Sequence, residues 1–143
     1  MLIKQLSIFL ENKTGSLHAA LEALASHSVN ISALSLADTA DFGILRLIVD
    51  EPEKAKSVLA EMGVAVLLSD VLAVAMDDVP GGMAELLHQV ATEGLSVEYM
   101  YACVGRVSGK ALTVMRLDDN EKGETLIQRG KHGQVNPADI YRL

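Results

Sequence analysis

Displaced by 66 positions, this sequence falls back onto itself. The displacement sets Leu6, Ile8 and Leu10 on Leu72, Val74 and Met76, two stretches whose apolar residues alternate as in a strand with one buried face. Gly15 meets Gly81. Leu17, Leu21 and Leu24 meet Met83, Leu87 and Val90, whose steps of four and three draw one apolar stripe along a helix. Val29 and Ile31 then meet Leu95 and Val97. Past the following hairpin the displacement is 68, the mark of two added residues near Val104–Lys110. There Asp50 and Glu53 meet Asp118 and Glu121, an Asp-x-x-Glu pattern that predicts a helix cap in both copies. Behind it Ala55, Val58, Leu59 and Met62 meet Gly123, Leu126, Ile127 and Gly130, so the later helix has the thinner apolar face. Such a chain folds as two copies of one unit, and its 143 residues divide into 1–69 and 70–143.

Each copy reads strand, helix, strand, strand, helix, strand. The predicted strands are Ile3–Leu10, Ile31–Asp38, Ile44–Asp50 and Val64–Leu68, then Val71–Met76, Ser96–Val104, Ala111–Leu117 and a last one between Gln134 and Leu143. The predicted helices are Gly15–His27, Glu51–Met62, Gly81–Glu93 and Asn120–Arg129. Right-handed crossovers, applied twice per copy, give a four-stranded antiparallel sheet with both helices on one face. The expected class is α+β, as two ferredoxin-like βαββαβ repeats. Units this small bury a modest core and gain from a neighbour. With Leu6, Ile8, Val97 and Tyr99 facing the helices, Phe9, Ile48, Met100, Ala102 and Val104 face away, and that outward apolar surface predicts a homodimer.

The net charge is −7, and two Phe, three Tyr and no Trp provide few stacking platforms. This excludes the cationic, aromatic surface that nucleic-acid binding asks for. Lys4, Gln5 and Ser7 interrupt any secretory apolar segment, and no stretch reaches the ~18 apolar residues of a membrane span. A cytoplasmic protein without membrane or nucleic-acid partners is expected. The single cysteine, Cys103, reads as a small buried hydrophobe, and His18, His27, His88 and His132 fall at no ligand spacing. No metal, cofactor or catalytic residue is expected. A phosphate-clamping arginine is missing from both strand-to-helix loops.

Those two loops, Glu11–Leu17 and Asp77–Met83, carry the functional reading. Gly15 and Gly81 open a helix directly after a strand, where another molecule can approach the backbone and first-turn amides point outward. A helix N-terminus attracts a carboxylate. Asn12 and Asp78, three residues earlier, can either cap the helix or accept from an ammonium group. Donors beside an acceptor suit the head group of an amino acid. The same residue types are also ordinary ingredients of a strand-to-helix turn.

The stretches LENKTGSLHAALEALASHSVNI and MDDVPGGMAELLHQVATEGLSV resemble the ACT domain. They share its Asn or Asp, its glycine-bearing turn, its amphipathic helix and the opening of its second strand. The resemblance implies a non-catalytic effector module that binds an amino acid between paired domains and signals to a partner enzyme of amino-acid metabolism. It assigns Asn12, Lys13, Thr14, Gly15 and Ser16 to one site, facing Asn30 and Ile31. Asp78, Val79, Pro80, Gly81, Gly82 and Met83 form the other, facing Ser96 and Val97. Lys13-Thr14 stands where the family carries a proline-bearing step, and Ser96 where it carries Asn, so the two sites are expected to bind unequally. The alternative is a docking subunit of a metabolic enzyme with vestigial ligand sites.

Overall fold

The structure, a computed structural model, describes residues 2–38, 41–130 and 132–143. Its elements are β1 (Leu2–Glu11), α1 (Ser16–Ser26), β2 (Ile31–Asp38), β3 (Phe42–Val49), α2 (Pro52–Glu61) and β4 (Ala65–Met76), followed by α3 (Gly82–Thr92), β5 (Val97–Val107), β6 (Lys110–Leu117), α4 (Asn120–Arg129), β7 (Gly133–Gln134) and α5 (Pro137–Tyr141). Two compact units form: Lys4–Ser69, and Asp70–Leu143 with residues 2–3.

In the first unit the strand order is β4-β1-β3-β2, and β3 runs antiparallel to both neighbours, with Leu6 opposite Leu47 and Leu34 opposite the same Leu47. In the second the order is β7-β4-β6-β5, again antiparallel. Alternation decides which side chains enter the cores. Leu6, Ile8 and Leu10 of β1 join Leu45, Leu47 and Val49 of β3 beneath Ala20 and Leu24 of α1 and Ala55, Val58 and Leu59 of α2. Both helices therefore lie on one face of these strands. The second core repeats the plan with Leu72, Val74 and Met76, Met115 and Leu117, and Leu86, Val90 and Ile127 from α3 and α4. This α+β plan with antiparallel sheet pairing is consistent with ferredoxin-like repeats.

Five local expectations change. Val64–Leu68 and Val71–Met76 are one strand, because Ser69 and Asp70 continue the extended backbone between them. The last strand is only Gly133–Gln134, and helix α5 follows it, with Asn136 Oδ1 accepting the Ala138 amide at 3.0 Å and Pro137 at the first helical position. The caps are also shifted by one residue, to Glu51 and Asp119. Asp119 accepts the Lys122 amide, whereas Asp50 and Asp118 turn to the strands: Asp50 Oδ1 accepts the Asn30 amide at 2.9 Å and Asp118 Oδ1 the Ser96 amide at 3.0 Å. Their own amides donate back to the Asn30 and Ser96 carbonyls at 3.1 Å each.

The fourth change is a register break between Val97 and Tyr99, matched by one between Ile31 and Ala33. A bulge inverts every later side chain relative to strict alternation. Met100 thus packs on the helix-side core beside Val97, not away from it as expected, and Tyr99 does not share Val97's side. The fifth concerns outward apolar surface: Phe9 and Val104 are exposed, but Ile48 is fully buried within the chain.

Candidate functional site

Each β-to-α loop enters its helix through a left-handed glycine, Gly15 at φ 87°, ψ −9° and Gly81 at φ 87°, ψ −7°. That conformation costs an ordinary L-residue about 1–2 kcal/mol. The Ser16 amide reaches the Lys13 carbonyl at 3.3 Å, and the Gly82 amide reaches the Val79 carbonyl at 3.0 Å. Amides deeper in the first turn have no carbonyl within their own helix. Neither helix takes a side-chain cap, so Asn12 and Asp78 are not caps.

From there the loops diverge. Asp78 is ion-paired with the Arg106 guanidinium and Asp77 with Lys110 Nζ at 3.1 Å, both cations coming from the β5–β6 hairpin. The Asp77 carbonyl also lies where a side chain on residue 82 would sit, so Gly82 is required there. In the first loop, Lys13 Nζ instead meets Glu11 of its own loop at 3.1 Å, with both side chains well exposed.

Two clefts flank the first loop. The smaller, of about 260 Å³, is lined by Asn12, Lys13 and Ser16 with Leu36 and Gly43 among its other walls. The larger, of about 650 Å³, is lined by Lys13, Thr14, Gly15 and Ser16 together with Phe9, Phe42, Met62 and Val64. All five expected loop residues therefore border a cleft. Asn30 and Ile31 border neither. An eleven-residue helix separates them from the loop, about 16 Å along its axis, so within one unit they stand at the opposite end. Ser96 and Val97 hold the corresponding place behind α3. Beside Ile31, the Ser32 hydroxyl is buried without a hydrogen-bond partner.

Sequence reasoning did not connect Phe9, Phe42 and Met62 with the first loop, since only the fold brings these exposed side chains to its cleft. It passed over Arg106 and Lys110 because 28 and 33 residues separate them from their partners. A third cleft, of about 520 Å³, lies between α3 and α4 and is lined by His88, Glu93 and Arg129 among others. Among the described residues no three His, Cys, Asp or Glu side chains gather as metal ligands. Burial pushes the Cys103 thiol up to about 11, so it stays protonated and unreactive near neutrality.

Comparison with known proteins identifies this pairing of units. The family model described as an ACT domain pair matches residues 1–143. The chain belongs to that family. Among solved structures, a protein of Bacteroides thetaiotaomicron is 40% identical to this ACT pair, with a TM-score of 0.92 over 100% of this chain and 98% of that one. The ligand-free regulatory subunit of aspartate kinase from Thermus thermophilus has a TM-score of 0.64 at 16% identity, covering 90% of this chain and 91% of its own. The Thermus flavus counterpart gives 0.60, also at 16%, over 90% and 92%. At that identity the two Thermus proteins establish likeness of fold alone. A search among curated proteins returned no match. No helix among the described residues of the ACT pair is long and apolar enough to cross a membrane.

Proposed function

We propose that this ACT pair, with residues 1–69 and 70–143 as its two ferredoxin-like units, binds a free amino acid and signals its presence to a partner enzyme of amino-acid metabolism. It works in the cytoplasm, as a homodimer, without cofactor or catalysis of its own. The observation that carries this reading is the first loop, where a glycine-opened helix N-terminus and an exposed Glu11–Lys13 pair border two clefts. Lys13 and the first-turn amides suit a carboxylate, and Glu11 suits an ammonium.

The loop and the strand opening that would close over its ligand lie at opposite ends of one unit. In this reading, as the family resemblance implies, Asn12, Lys13, Thr14, Gly15 and Ser16 hold one ligand with Asn30 and Ile31 of a facing domain closing over it, and Asp78–Met83 hold another with Ser96 and Val97. A ligand clasped between two surfaces shifts the chain towards the clasped state by its difference in affinity for the two states, and that shift is the signal.

A thermal-shift panel of the common amino acids tests the reading. A rise of several degrees with one or a few ligands, lost in Gly15→Val or Gly81→Val, supports sensing. A flat panel favours the second reading, a docking subunit with vestigial sites, for which the pairing of Asp78 with Arg106 already speaks.

A further inference from the structure

Eight large apolar side chains are conspicuously exposed among the described residues, and six of them, Phe9, Leu34, Leu36, Phe42, Met62 and Leu67, belong to the first unit. Scattered singly they would need no explanation. Phe9, Phe42 and Met62, however, line the same 650 Å³ cleft. Strand register sets the first two: Phe9 lies opposite Ile44 and Glu11 opposite Phe42, so the rings stand diagonally on one face of β1 and β3. Met62 caps α2 and borders the cleft from the turn that leads into β4.

Charge sits beside this apolar wall. Glu11 and Lys13 line the same cleft, with side chains 66% and 71% exposed, so both can exchange their mutual contact for a ligand's head group. The cleft falls within the ~300–1,000 Å³ typical of sites that bury most of a small molecule, while its 260 Å³ neighbour falls below it. A concavity of this size, with opposite charges at one side and aromatic walls at the other, exceeds what a small amino acid would fill and offers a larger side chain an apolar wall.

The second copy shows what the first has gained. At the displacements of 66 and 68, Phe9 corresponds to Ala75, Lys13 to Val79, Phe42 to Lys110 and Met62 to Gly130. Every apolar wall named above is replaced by a small or charged residue. Lys110, standing for Phe42, pairs with Asp77, standing for Glu11.

We infer that the first unit's cleft selects amino acids with a large apolar side chain, aromatic ones foremost. Glu11 holds the ammonium, Lys13 the carboxylate, and Phe9, Phe42 and Met62 surround the side chain. This rests on the proposal that the first loop binds amino acids, and adds to it the class of ligand.

Isothermal titration of the full chain with L-phenylalanine, L-alanine, L-serine and L-lysine tests the selectivity. L-Phenylalanine should bind at least about tenfold more tightly than L-alanine, through burial of its ring. Phe42→Ala and Met62→Ala change exposed side chains and should preserve the circular dichroism spectrum. Each should weaken L-phenylalanine several-fold and affect L-alanine less. Phenylacetate and 2-phenylethylamine, each lacking one head-group charge, should bind more weakly than L-phenylalanine. L-Serine or L-lysine binding more tightly than L-phenylalanine, or a phenylalanine affinity indifferent to both variants, overturns the selectivity and leaves amino-acid sensing standing. Silence across all the common amino acids overturns both.

Discussion

The two loops begin as near-identical backbones and end as different chemical surfaces. Gly15 and Gly81 agree in φ and differ by two degrees in ψ. Yet the acids of the second loop are held by Arg106 and Lys110, while the first keeps its ion pair to itself beside an aromatic wall. Duplication copies backbone geometry, which glycine and helix termini dictate, more faithfully than the side chains that decorate it. A fold can therefore persist in both halves while the side chains beside its two loops diverge.

That contrast can be broken first through helix packing. A side chain on Gly123 would drive into Leu117 and come within 2.8 Å of Leu72, whereas its counterpart Ala55 already fits, fully buried. Gly123→Ala should still destabilise, by up to ~2 kcal/mol, because overpacking outweighs the ~1 kcal/mol that alanine gains over glycine in a helix. Ala55→Gly should cost about 1–2 kcal/mol, from helix propensity and the loss of a buried methyl. Urea unfolding at constant m measures both, and a stabilised Gly123→Ala would refute the closer approach of α4.

The glycine gates come next. Gly15→Val and Gly81→Val should each lose about 1–2 kcal/mol, nearly alike because the angles are alike. Only the first should also erase a response to L-phenylalanine. Loss of that response through Gly81 alone would reverse the assignment of roles.

Arg106→Ala removes an ion pair whose two side chains are 65% and 48% exposed. Its stability cost should stay below about 1 kcal/mol and vanish in 1 M salt. A loss that survives high salt would show the second loop to be held by more than charge.

The smallest effect concerns Cys103, for which the first copy has Ala37. Burial raises the thiol from 9.0 to about 11, so the folded chain keeps a proton that the unfolded chain loses. This contribution to stability is intact below about pH 9 and fades as pH rises towards 11. Alkylation by iodoacetamide should be slow at pH 8 and accelerate only across that window.

Periodic apolar residues announced most of the fold. Leu6, Ile8 and Leu10 and their counterparts repeat at a fixed distance, and burial follows repetition. The bulges at Ile31/Ala33 and Val97/Tyr99 left no such mark, since an extra residue in one strand is visible only against its partner. Hence strict alternation puts Met100 on the face away from the helices, whereas it packs on the helix-side core. The Asp50 and Asp118 carboxylates sit one residue before the helix caps, and a spacing rule alone does not tell a cap from a strand anchor. At the site, the glycines and their flanking polar residues were legible because their chemistry is local. Phe42, Met62, Arg106 and Lys110 reach the loops from distant elements, so only the fold brings them there. For α5, Asn136-Pro137 was a readable helix start that the expectation of a final strand overrode.

The shared glycine angles also set how such a protein can diversify. At residues 15 and 81 the backbone adopts the handedness natural to a D-amino acid, so the coded alphabet offers essentially one occupant at each. Neither position can acquire a new functional group by point substitution without straining the chain. Chemical novelty must arise alongside, and there the copies have parted: Asn12-Lys13-Thr14 in one, Asp78-Val79-Pro80 in the other.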